Sequence, residues 1–401
     1  MKSGWAIKKL GEVCESQIAR LKSLNIKKIK YIDISSIDRT AKRVLGTTEY
    51  SVHEAPGRAQ QVVYPDDLLV STVRPNLNAV ALVPRDIDGT LIASTGFSVL
   101  RAKDVVSSRW LYYYSQTNKF IDPLVADSEK AAYPSVTDTR VRELDVPVPP
   151  LAEQKRIVAK IDAAFEKIDK LKANAERNLA NAKELFQSAL DEAMRPKKGW
   201  MEKRLGEVCA KIGSGATPRG GRSSYCATGV SLIRSMNVYD HAFEYKDLAH
   251  ISNDQANELD NVTIENQDVL INITGASVAR CCVVPNDVLP ARVNQHVAIL
   301  RIGNRTVLES EFLCYSLITP ANKHLLLGIG EAGSTRQALT KSDLSNFVIQ
   351  IPPIKLQREI IQKVSELSYR VAALQQHYTR QIADCAEMRQ SVLRTAFEGR
   401  L

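Results

Sequence analysis

The sequence lacks the features that mark membrane, secreted and metal-binding proteins. No apolar run reaches the length of a membrane span, and the first five residues, from Met1 to Trp5, do not open the apolar core of a secretory signal. The seven cysteines include no C-x-x-C pair, and no histidines lie near them at metal-ligand spacing. We therefore expect a cytoplasmic protein with reduced, mostly buried thiols, no membrane association and no bound metal.

The common catalytic motifs are also missing. The sequence contains no G-x-x-x-x-G-K-[ST], H-E-x-x-H or G-x-S-x-G, and neither Pro-Pro pair has the asparagine and aromatic residue of amino-methylating enzymes. Residues 328–333 match G-x-G-x-x-G, but residues 321–327 predict a helix where that fingerprint requires a buried strand. We interpret the match as chance, so the sequence predicts a chain that is not itself an enzyme and binds no cofactor.

Composition places the chain among globular proteins with a polyanionic partner. Hydrophobic residues make up 44% and charged residues 25% of the chain, as in globular proteins. A chain of 401 residues is long enough for two or more domains with substantial cores. The formal net charge of +9 favours a nucleic acid as partner, although many basic proteins bind none.

The chain repeats itself. The segment GWAIKKLGEVC, from Gly4 to Cys14, returns as GWMEKRLGEVC from Gly199 to Cys209. A repeat of about 200 residues is too long for a solenoid and implies two copies of a whole domain. Proline at position 196 ends the preceding helix and marks the boundary between the copies.

Each copy ends in a Pro-Pro pair, at 149–150 and 352–353, that opens a long predicted helix. Apolar residues then recur at steps of three and four, the pattern of a coiled-coil seam, and two steps of four fall together at the same level of both helices, which is a stutter. An amphipathic helix lying on its own domain is the alternative for either helix alone, but the shared pattern favours two helices packed against each other. The predicted seam residues are Ile157, Ile161, Ile168, Leu171, Leu179, Phe186, Val364, Leu367, Val371, Leu374 and Ile382.

Within each copy, short apolar runs predict equivalent strands. They are expected at 31–35 and 231–235, 67–72 and 268–273, 79–84 and 281–285, 97–101 and 297–301, with a helix around 110–113 and 312–315 and a last strand at 144–148 and 347–351. The predicted fold class is mixed α/β (α+β): two homologous domains in a pseudo-twofold arrangement, joined by two long antiparallel helices. The predicted boundaries are 1–150, 151–195, 196–352 and 353–401.

Loops after the predicted strands carry side chains that read DNA bases. Arginine pairs bidentately with guanine, and asparagine or glutamine with adenine. The alternative for each residue is an ordinary turn position without a ligand. The candidates in the first copy are Arg74, Asn76, Asn78, Ser94, Thr95 and Tyr133, and those in the second are Arg234, Asn272, Thr274, Arg292, Asn294, Gln295, Ser334, Thr335, Arg336 and Gln337. Residues 340–343 instead predict a helix capping box.

Taken together, the two copies, the Pro-Pro-Leu-x-Glu-Gln helix start, the segment from Gly333 to Pro353 and the final residues 393–401 resemble the specificity subunit of Type I restriction–modification systems. The resemblance covers essentially the whole chain. At the second helix start, Leu356-Gln357 replaces the usual Glu-Gln, a mild departure that concerns only the detail of that start.

The resemblance implies two target recognition domains, each of which reads half of a split double-stranded DNA sequence, with the helices as the spacer. It also implies two modification subunits that bind S-adenosylmethionine and methylate adenine, and restriction subunits that use ATP and Mg²⁺. The alternatives are a free-standing bipartite DNA-binding regulator, or a DNA methyltransferase or nuclease that acts unaided. Because base-reading loops vary with the target, the candidate residues rest on the sequence and not on the resemblance.

Overall fold

The computed structural model describes residues 5–129, 133–332 and 338–401. The chain forms two compact units: the first unit consists of Met1–Glu176 and Arg380–Leu401, and the second unit of Arg177–Thr379. The first unit is therefore made of two separate stretches of sequence, and the second unit of one.

The N-terminal stretch alternates short strands and helices until one long helix begins. The strands are β1 (Ala6–Lys9), β2 (Lys28–Ile32), β3 (Ile37–Asp38), β4 (Arg43–Val44), β5 (Thr48–Ser51), β6 (Ala59–Val63), β7 (Leu68–Ser71), β8 (Val80–Leu82), β9 (Leu91–Ser94), β10 (Phe97–Leu100) and β11 (Asp145–Val148). The helices are α1 (Leu10–Val13), α2 (Ser108–Tyr114), α3 (Asn118–Ser128), α4 (Asp138–Arg142) and the long α5 (Leu151–Met194).

The rest of the chain repeats this order. The strands are β12 (Met201–Arg204), β13 (Cys209–Ser214), β14 (Val230–Ile233), β15 (Val238–Tyr239), β16 (Ala242–Phe243), β17 (Ala249–Ile251), β18 (Val269–Asn272), β19 (Cys281–Val283), β20 (Ala291–Val293), β21 (Val297–Ile302) and β22 (Val348–Ile351). The helices are α6 (Leu205–Val208), α7 (Asn253–Glu258), α8 (Ser310–Ile318), α9 (Pro320–Ala332), α10 (Lys341–Asn346) and the long α11 (Ile354–Phe397).

Three strand arrangements recur in the two units. The order β10-β7-β8 in the first unit returns as β21-β18-β19 in the second, and β5-β2-β9 returns as β17-β14-β20. In the latter set the β2–β9 and β14–β20 pairs are both parallel. The antiparallel pair of β1 with β11 returns as β12 with β22. The predicted mixed fold with two homologous domains is therefore confirmed.

The central strand of each unit is buried on both faces, which explains its continuous apolar sequence. In β7, Leu68 and Val70 pack in a core that includes the α2 residue Trp110, while Leu69 points into a second core between the sheets. In β18, Val269 and Ile271 face the helices and Leu270 faces the other sheet in the same way. Alternate side chains of a strand point to opposite faces, so a strand between two cores is apolar up to its last residue, which is Ser71 in β7 and Asn272 in β18.

The two long helices contribute to both units. In the first unit the start of α5 packs with the end of α11, where Ile157 and Ile161 share a core with Leu393 and Phe397. The two helices run antiparallel here. Arg389 Nη2 lies 2.8 Å from both carboxylate oxygens of Asp169, while Arg156, earlier in α5, donates from Nη2 at 2.9 Å to the carbonyl of Leu401, which follows α11.

In the second unit the end of α5 packs with the start of α11. Leu190 and Met194 share a core with Ile360 and Val364. Each long helix therefore provides one half to the core of each unit.

The predicted seam is buried along most of its length but departs from expectation at its centre. Ile157, Ile161, Ile168, Val364 and Val371 are buried, and Leu179, Phe186, Leu367 and Ile382 are half-buried. In contrast, Leu171 is 46% and Leu374 40% exposed. Both precede the two consecutive four-residue steps, where the apolar stripe drifts around the helix and leaves a residue at its edge.

A buried glutamine fixes the start of α5. The side-chain Oε1 of Gln154 accepts a hydrogen bond from the backbone N–H of Ser107 at 2.8 Å, and its Nε2 donates to the carbonyls of Val105 and Pro149 at 3.1 and 2.8 Å. The side chain is fully buried. It therefore pairs three backbone groups, among them the carbonyl of the buried residue Pro149.

Gln357 does the same at the start of α11. Its Oε1 accepts from the backbone N–H of Glu309 at 2.9 Å, and its Nε2 donates to the carbonyls of Val307 and Pro352 at 2.7 and 2.8 Å. The residue before the glutamine is Glu153 in α5 and Leu356 in α11, and the glutamine makes the same three hydrogen bonds in both helices.

Two local predictions are confirmed. Residues 321–327 lie within α9, so the match to G-x-G-x-x-G is not preceded by a strand. Thr340 Oγ1 accepts from the backbone N–H of Asp343 at 3.1 Å, and the Asp343 carboxylate accepts from the backbone N–H of Thr340 at 2.8 Å, which is the predicted capping box.

The cysteines are all free thiols, and Cys14, Cys281, Cys282, Cys314 and Cys385 are buried. Burial raises the pKa of the Cys14 thiol to about 12. In the described part of the chain, no helix combines the length and the apolarity that crossing a bilayer requires.

Candidate nucleic-acid interface

Three segments of the first unit meet where the predicted base-reading loops lie. The backbone N–H of Thr72, in the turn after β7, donates at 2.9 Å to the carbonyl of Gly96, in the turn that joins β9 to β10. The N–H of Arg74 donates to the carbonyl of Pro134 at 2.7 Å, and the N–H of Val136 donates to the carbonyl of Thr72 at 2.9 Å. The turn after β7, the β9–β10 turn and the segment that leads to α4 thus form one surface, which we call the three-segment surface.

The second unit builds the same surface with different residues. The N–H of Ile273, after β18, donates at 3.0 Å to the carbonyl of His296, in the turn that joins β20 to β21. The N–H of Leu339 donates to the carbonyl of Ile273 at 2.8 Å, and Thr274 bridges to Ala338. The backbone support therefore repeats, although the side chains on it do not.

Arg74 is held in an unusual backbone conformation on this surface. Its φ and ψ are 49° and 63°, in the left-handed region that glycine adopts without steric cost. The equivalent position of the second unit is Gly275, with φ 72°. The Arg74 side chain is exposed. For an arginine this conformation costs roughly 1–2 kcal/mol relative to the right-handed one.

The neighbouring asparagines differ in their surroundings. Asn76 is exposed, whereas Asn78 is half-buried and left-handed, with φ 43°. Asn78 Nδ2 donates to the carbonyl of Ser115 at 2.9 Å, and its Oδ1 accepts from Lys42 Nζ at 2.7 Å. Asn78 therefore ties the turn after β7 to the rest of the unit, and burial lowers the pKa of the Lys42 ammonium to about 8.

The β9–β10 turn has one buried and one exposed candidate beside each other. Ser94 is buried, and its carbonyl accepts from Gln61 Nε2 at 2.8 Å. Thr95 is exposed at the tip, where its N–H donates to the carbonyl of Arg58 at 2.9 Å. Tyr133, beside the bridge between the turn and the segment before α4, is 58% exposed.

In the second unit, hydrogen bonds link four side chains at the β20–β21 turn of the surface. Thr217 Oγ1 donates to Gln295 Oε1, and Gln295 Nε2 lies 3.1 Å from His296 Nε2. With the amide N–H donating to Nε2, the imidazole carries its proton on Nδ1, which lies 2.6 Å from Thr274 Oγ1. These bonds hold the imidazole and the amide in place.

The remaining described candidates of the second unit have polar groups that are engaged within the unit. Asn272 is fully buried, and its Nδ2 donates to the carbonyl of Ser235 at 2.9 Å. Arg292 is buried, and its Nε donates to the carbonyl of Ala256 at 3.0 Å. Such bonds give these two residues a role in holding loops together.

Two further candidates also hold loops. Asn294 is buried, and its Oδ1 accepts from the backbone N–H of His296 at 3.1 Å. Arg234 is half-buried, donates to the carbonyl of Asp247 and lies over the ring of Tyr225 at 5.5 Å. The candidates Ser334, Thr335, Arg336 and Gln337 lie outside the described residues.

Sequence reasoning missed three residues of this surface: Arg58, Thr217 and His296. Arg58 directly precedes β6, a strand that the sequence analysis did not predict, and Thr217 belongs to a glycine-rich loop without periodicity. His296 directly follows the candidate pair Asn294-Gln295, and this adjacency is the one signal in the sequence that points to it.

Comparison with known proteins agrees with this geometry. The family model described as the Type I restriction modification DNA specificity domain matches residues 2–179 and 197–383. The specificity subunit of the Type I restriction enzyme EcoBI from Escherichia coli is 23% identical over 366 residues, which cover 84% of this chain and 74% of that protein. The EcoKI specificity subunit from Escherichia coli strain K12 is 20% identical over 317 residues, covering 76% and 68%.

Two solved structures match along the whole chain. One is a chain from a type I R-M system whose complex assembly and conformational transition were studied, with a TM-score of 0.85, 31% identity and coverage of 100% of this chain and 99% of that one. The other is the HsdS subunit from Thermoanaerobacter tengcongensis, with a TM-score of 0.60, 30% identity and coverage of 100% and 98%. The chain belongs to the family of Type I restriction–modification DNA specificity subunits.

Proposed function

We propose that the chain reads a split double-stranded DNA sequence, one half with each unit, and that it does so without catalysing a reaction itself. The observation that carries this proposal is the three-segment surface, which has the same backbone hydrogen bonds in both units but different side chains. Where the first unit presents Arg74 and Thr95, the second presents Gly275 and Gln295. Side chains read the edges of bases, so a shared backbone framework with two different sets of exposed side chains is what recognition of two different half-sites requires.

Affinity for the DNA backbone comes from charge. The chain carries a net charge of +9, and arginines flank the surface in each unit, at Arg58 and Arg74 in the first and at Arg219 in the second. Contacts of arginine with phosphate release counterions, so binding weakens as the salt concentration rises.

The chemistry belongs to partner subunits in this proposal. Two modification subunits bind S-adenosylmethionine and methylate adenine, and restriction subunits use ATP and Mg²⁺ to cut unmodified DNA. The long helices expose apolar side chains beside charged ones, namely Leu171, Leu185, Tyr369 and Leu374. Exposed apolar groups of this size support a protein partner on these helices.

The test compares DNA methylation in a host with and without this chain. We expect methylated adenines in one split motif that disappear when the chain is deleted. Purified chain with S-adenosylmethionine and magnesium but no partner should methylate nothing, and methylation should appear when modification subunits are added. Methylation by the chain alone would identify an unaided methyltransferase, and tight operator binding with no change in methylation would identify a free-standing regulator.

A further inference from the structure

We propose that Gln295 reads an adenine in the half-site bound by the second unit, and that His296 and Thr217 are positioning residues that orient its amide. This inference rests on the proposed DNA-reading function and names one contact within it. The side chain of Gln295 is exposed in the β20–β21 turn, on the three-segment surface.

The hydrogen bonds of Gln295 use half of what its amide offers. Oε1 accepts from Thr217, and Nε2 donates one of its two hydrogens to His296 Nε2. Among the described residues the amide has no other partner, which leaves one N–H of Nε2 and one lone pair of Oε1. A free donor beside a free acceptor complements the major-groove edge of adenine, where N7 accepts and N6–H donates.

The same pair discriminates against other bases. Guanine presents two acceptors, N7 and O6, so Gln295 Oε1 would face an oxygen without a hydrogen between them. Cytosine offers a donor alone, and thymine offers an acceptor with a methyl group. Thr217 and His296 each bond one end of the amide and so hold it in place.

The loop that carries Thr217 is hydrogen-bonded to the residues on either side of the β20–β21 turn. The N–H of Gly215 donates to the carbonyl of Val297 at 3.1 Å, and the N–H of Ala216 donates to the carbonyl of Val293 at 3.2 Å. A Cβ atom at Gly215 would lie 1.8 Å from the Val293 oxygen, so only glycine allows this approach. The orientation of Gln295 is thus set before DNA arrives, which lowers the entropy lost when its side chain makes a contact.

The two units differ at this turn as a recognition position should. Thr95 and Gly96 of the first unit lie where Gln295 and His296 lie in the second, while the backbone bonds from Thr72 and Ile273 to the turn repeat. The two units share these backbone hydrogen bonds, and at this turn the second unit has the hydrogen-bonded amide of Gln295 where the first has Thr95.

The experiment uses the complex of the full chain with its modification subunits, supplied with S-adenosylmethionine and a library of randomised DNA duplexes, and the methylated duplexes are sequenced. Wild type should yield a split motif with an adenine, at one position of one half, that Gln295→Arg replaces by guanine and Gln295→Ala leaves unspecified. The preference lost in Gln295→Ala should be roughly 5- to 150-fold. Gln362→Arg, an exposed glutamine of the same unit given the same charge change, should retain the wild-type motif.

The positioning role is tested with 7-deazaadenine, which lacks the N7 acceptor, at the adenine so identified. It should weaken binding by wild type but not by Gln295→Ala, and His296→Ala should reduce this sensitivity without lowering the unfolding midpoint. An unchanged motif in Gln295→Arg overturns the inference and leaves the proposed function intact. A wild-type complex that methylates no split motif overturns the proposed function, and with it the inference.

Discussion

The guanidinium of Arg301 donates two hydrogen bonds to the buried carboxylate of Asp268, from Nε to Oδ1 at 2.9 Å and from Nη2 to Oδ2 at 2.8 Å. Arg101 and Asp67 make the same bidentate pair in the first unit, at 2.9 and 2.7 Å. Each pair joins the residue before the central strand to the strand beside it. It therefore supports, from the opposite end of that strand, the turn that carries the candidate base-reading residues.

Replacement of Asp268 should destabilise the second unit strongly. Asp268→Ala leaves the Arg301 charge without its buried partner, and loss of one member of a buried pair costs about 3–5 kcal/mol. We expect a clear fall in the urea midpoint of the full chain. Glu366→Ala, which removes an exposed pair with Arg370 in the same unit, serves as the control and should leave the midpoint unchanged.

The buried glutamines at the helix starts should be as sensitive as core residues. Gln154→Ala removes the side-chain partner of one backbone N–H and two carbonyls, and an unpaired buried group such as the carbonyl of Pro149 costs about 1–3 kcal/mol unless water reaches it. Thermal unfolding should shift down for Gln154→Ala and for Gln357→Ala, with faster hydrogen exchange in the unit concerned. If both variants melt like the control Gln362→Ala, the glutamines do not hold the helix starts.

Arg74 allows stability and recognition to be separated. Arg74→Gly relieves the left-handed strain, which is on the order of 1 kcal/mol, while it removes the side chain. The unfolding midpoint should stay the same or rise, yet the methylated motif should lose preference at one position of a single half-site. Unchanged specificity in this variant would show that the Arg74 side chain does not read DNA.

The lowered pKa of Lys42 predicts a pH effect with a definite sign. The Lys42 ammonium is partly buried, which lowers its pKa from 10.5 to about 8. Between these values the unfolded chain binds more protons than the folded chain, so the contribution of Lys42 to stability rises with pH from about 8 to 10.5. Labelling of Lys42 by an amine-reactive reagent, followed by mass spectrometry, should reach its half-maximum near pH 8. A half-maximum near 10.5 would contradict the prediction.

The long helices predict a change in spacing. Each has 44 residues, about 66 Å of continuous helix. One heptad inserted at the same level of both keeps the apolar register and adds roughly 10 Å, about three base-pair steps of about 3.4 Å. The half-site bases should stay the same while the gap between them lengthens. An active variant with altered half-site bases and an unaltered gap would exclude the helices as the spacer.

Sequence patterns sufficed for the framework because its determinants are local or repeated. The apolar run of Leu68–Ser71, the Pro-Pro helix starts and the capping box at Thr340 are each visible in a few adjacent residues. The role of Gln154 was hidden, because an isolated glutamine in a first helical turn looks like a surface residue until its backbone partners are known.

The candidate site was harder to predict, since its details depend on residues far apart in sequence. Nothing in the sequence around Arg292 shows that its guanidinium will donate a hydrogen bond to the carbonyl of Ala256. The contact of Thr217 with Gln295 depends on the close approach of Gly215 to Val293, which joins segments about 80 residues apart. Hydrogen-bonded loops of this kind have no period that a sequence can reveal.

The return of α11 to the first unit affects the order in which the protein is made. The ring of Trp110 lies 4.5 Å from that of Phe397, in a core whose other members are mostly translated before residue 177. The whole second unit, residues 177–379, is therefore synthesised before residues 380–401, which complete the first unit. The unit that is started first is completed last, and until then it exposes an apolar face to chaperones and proteases.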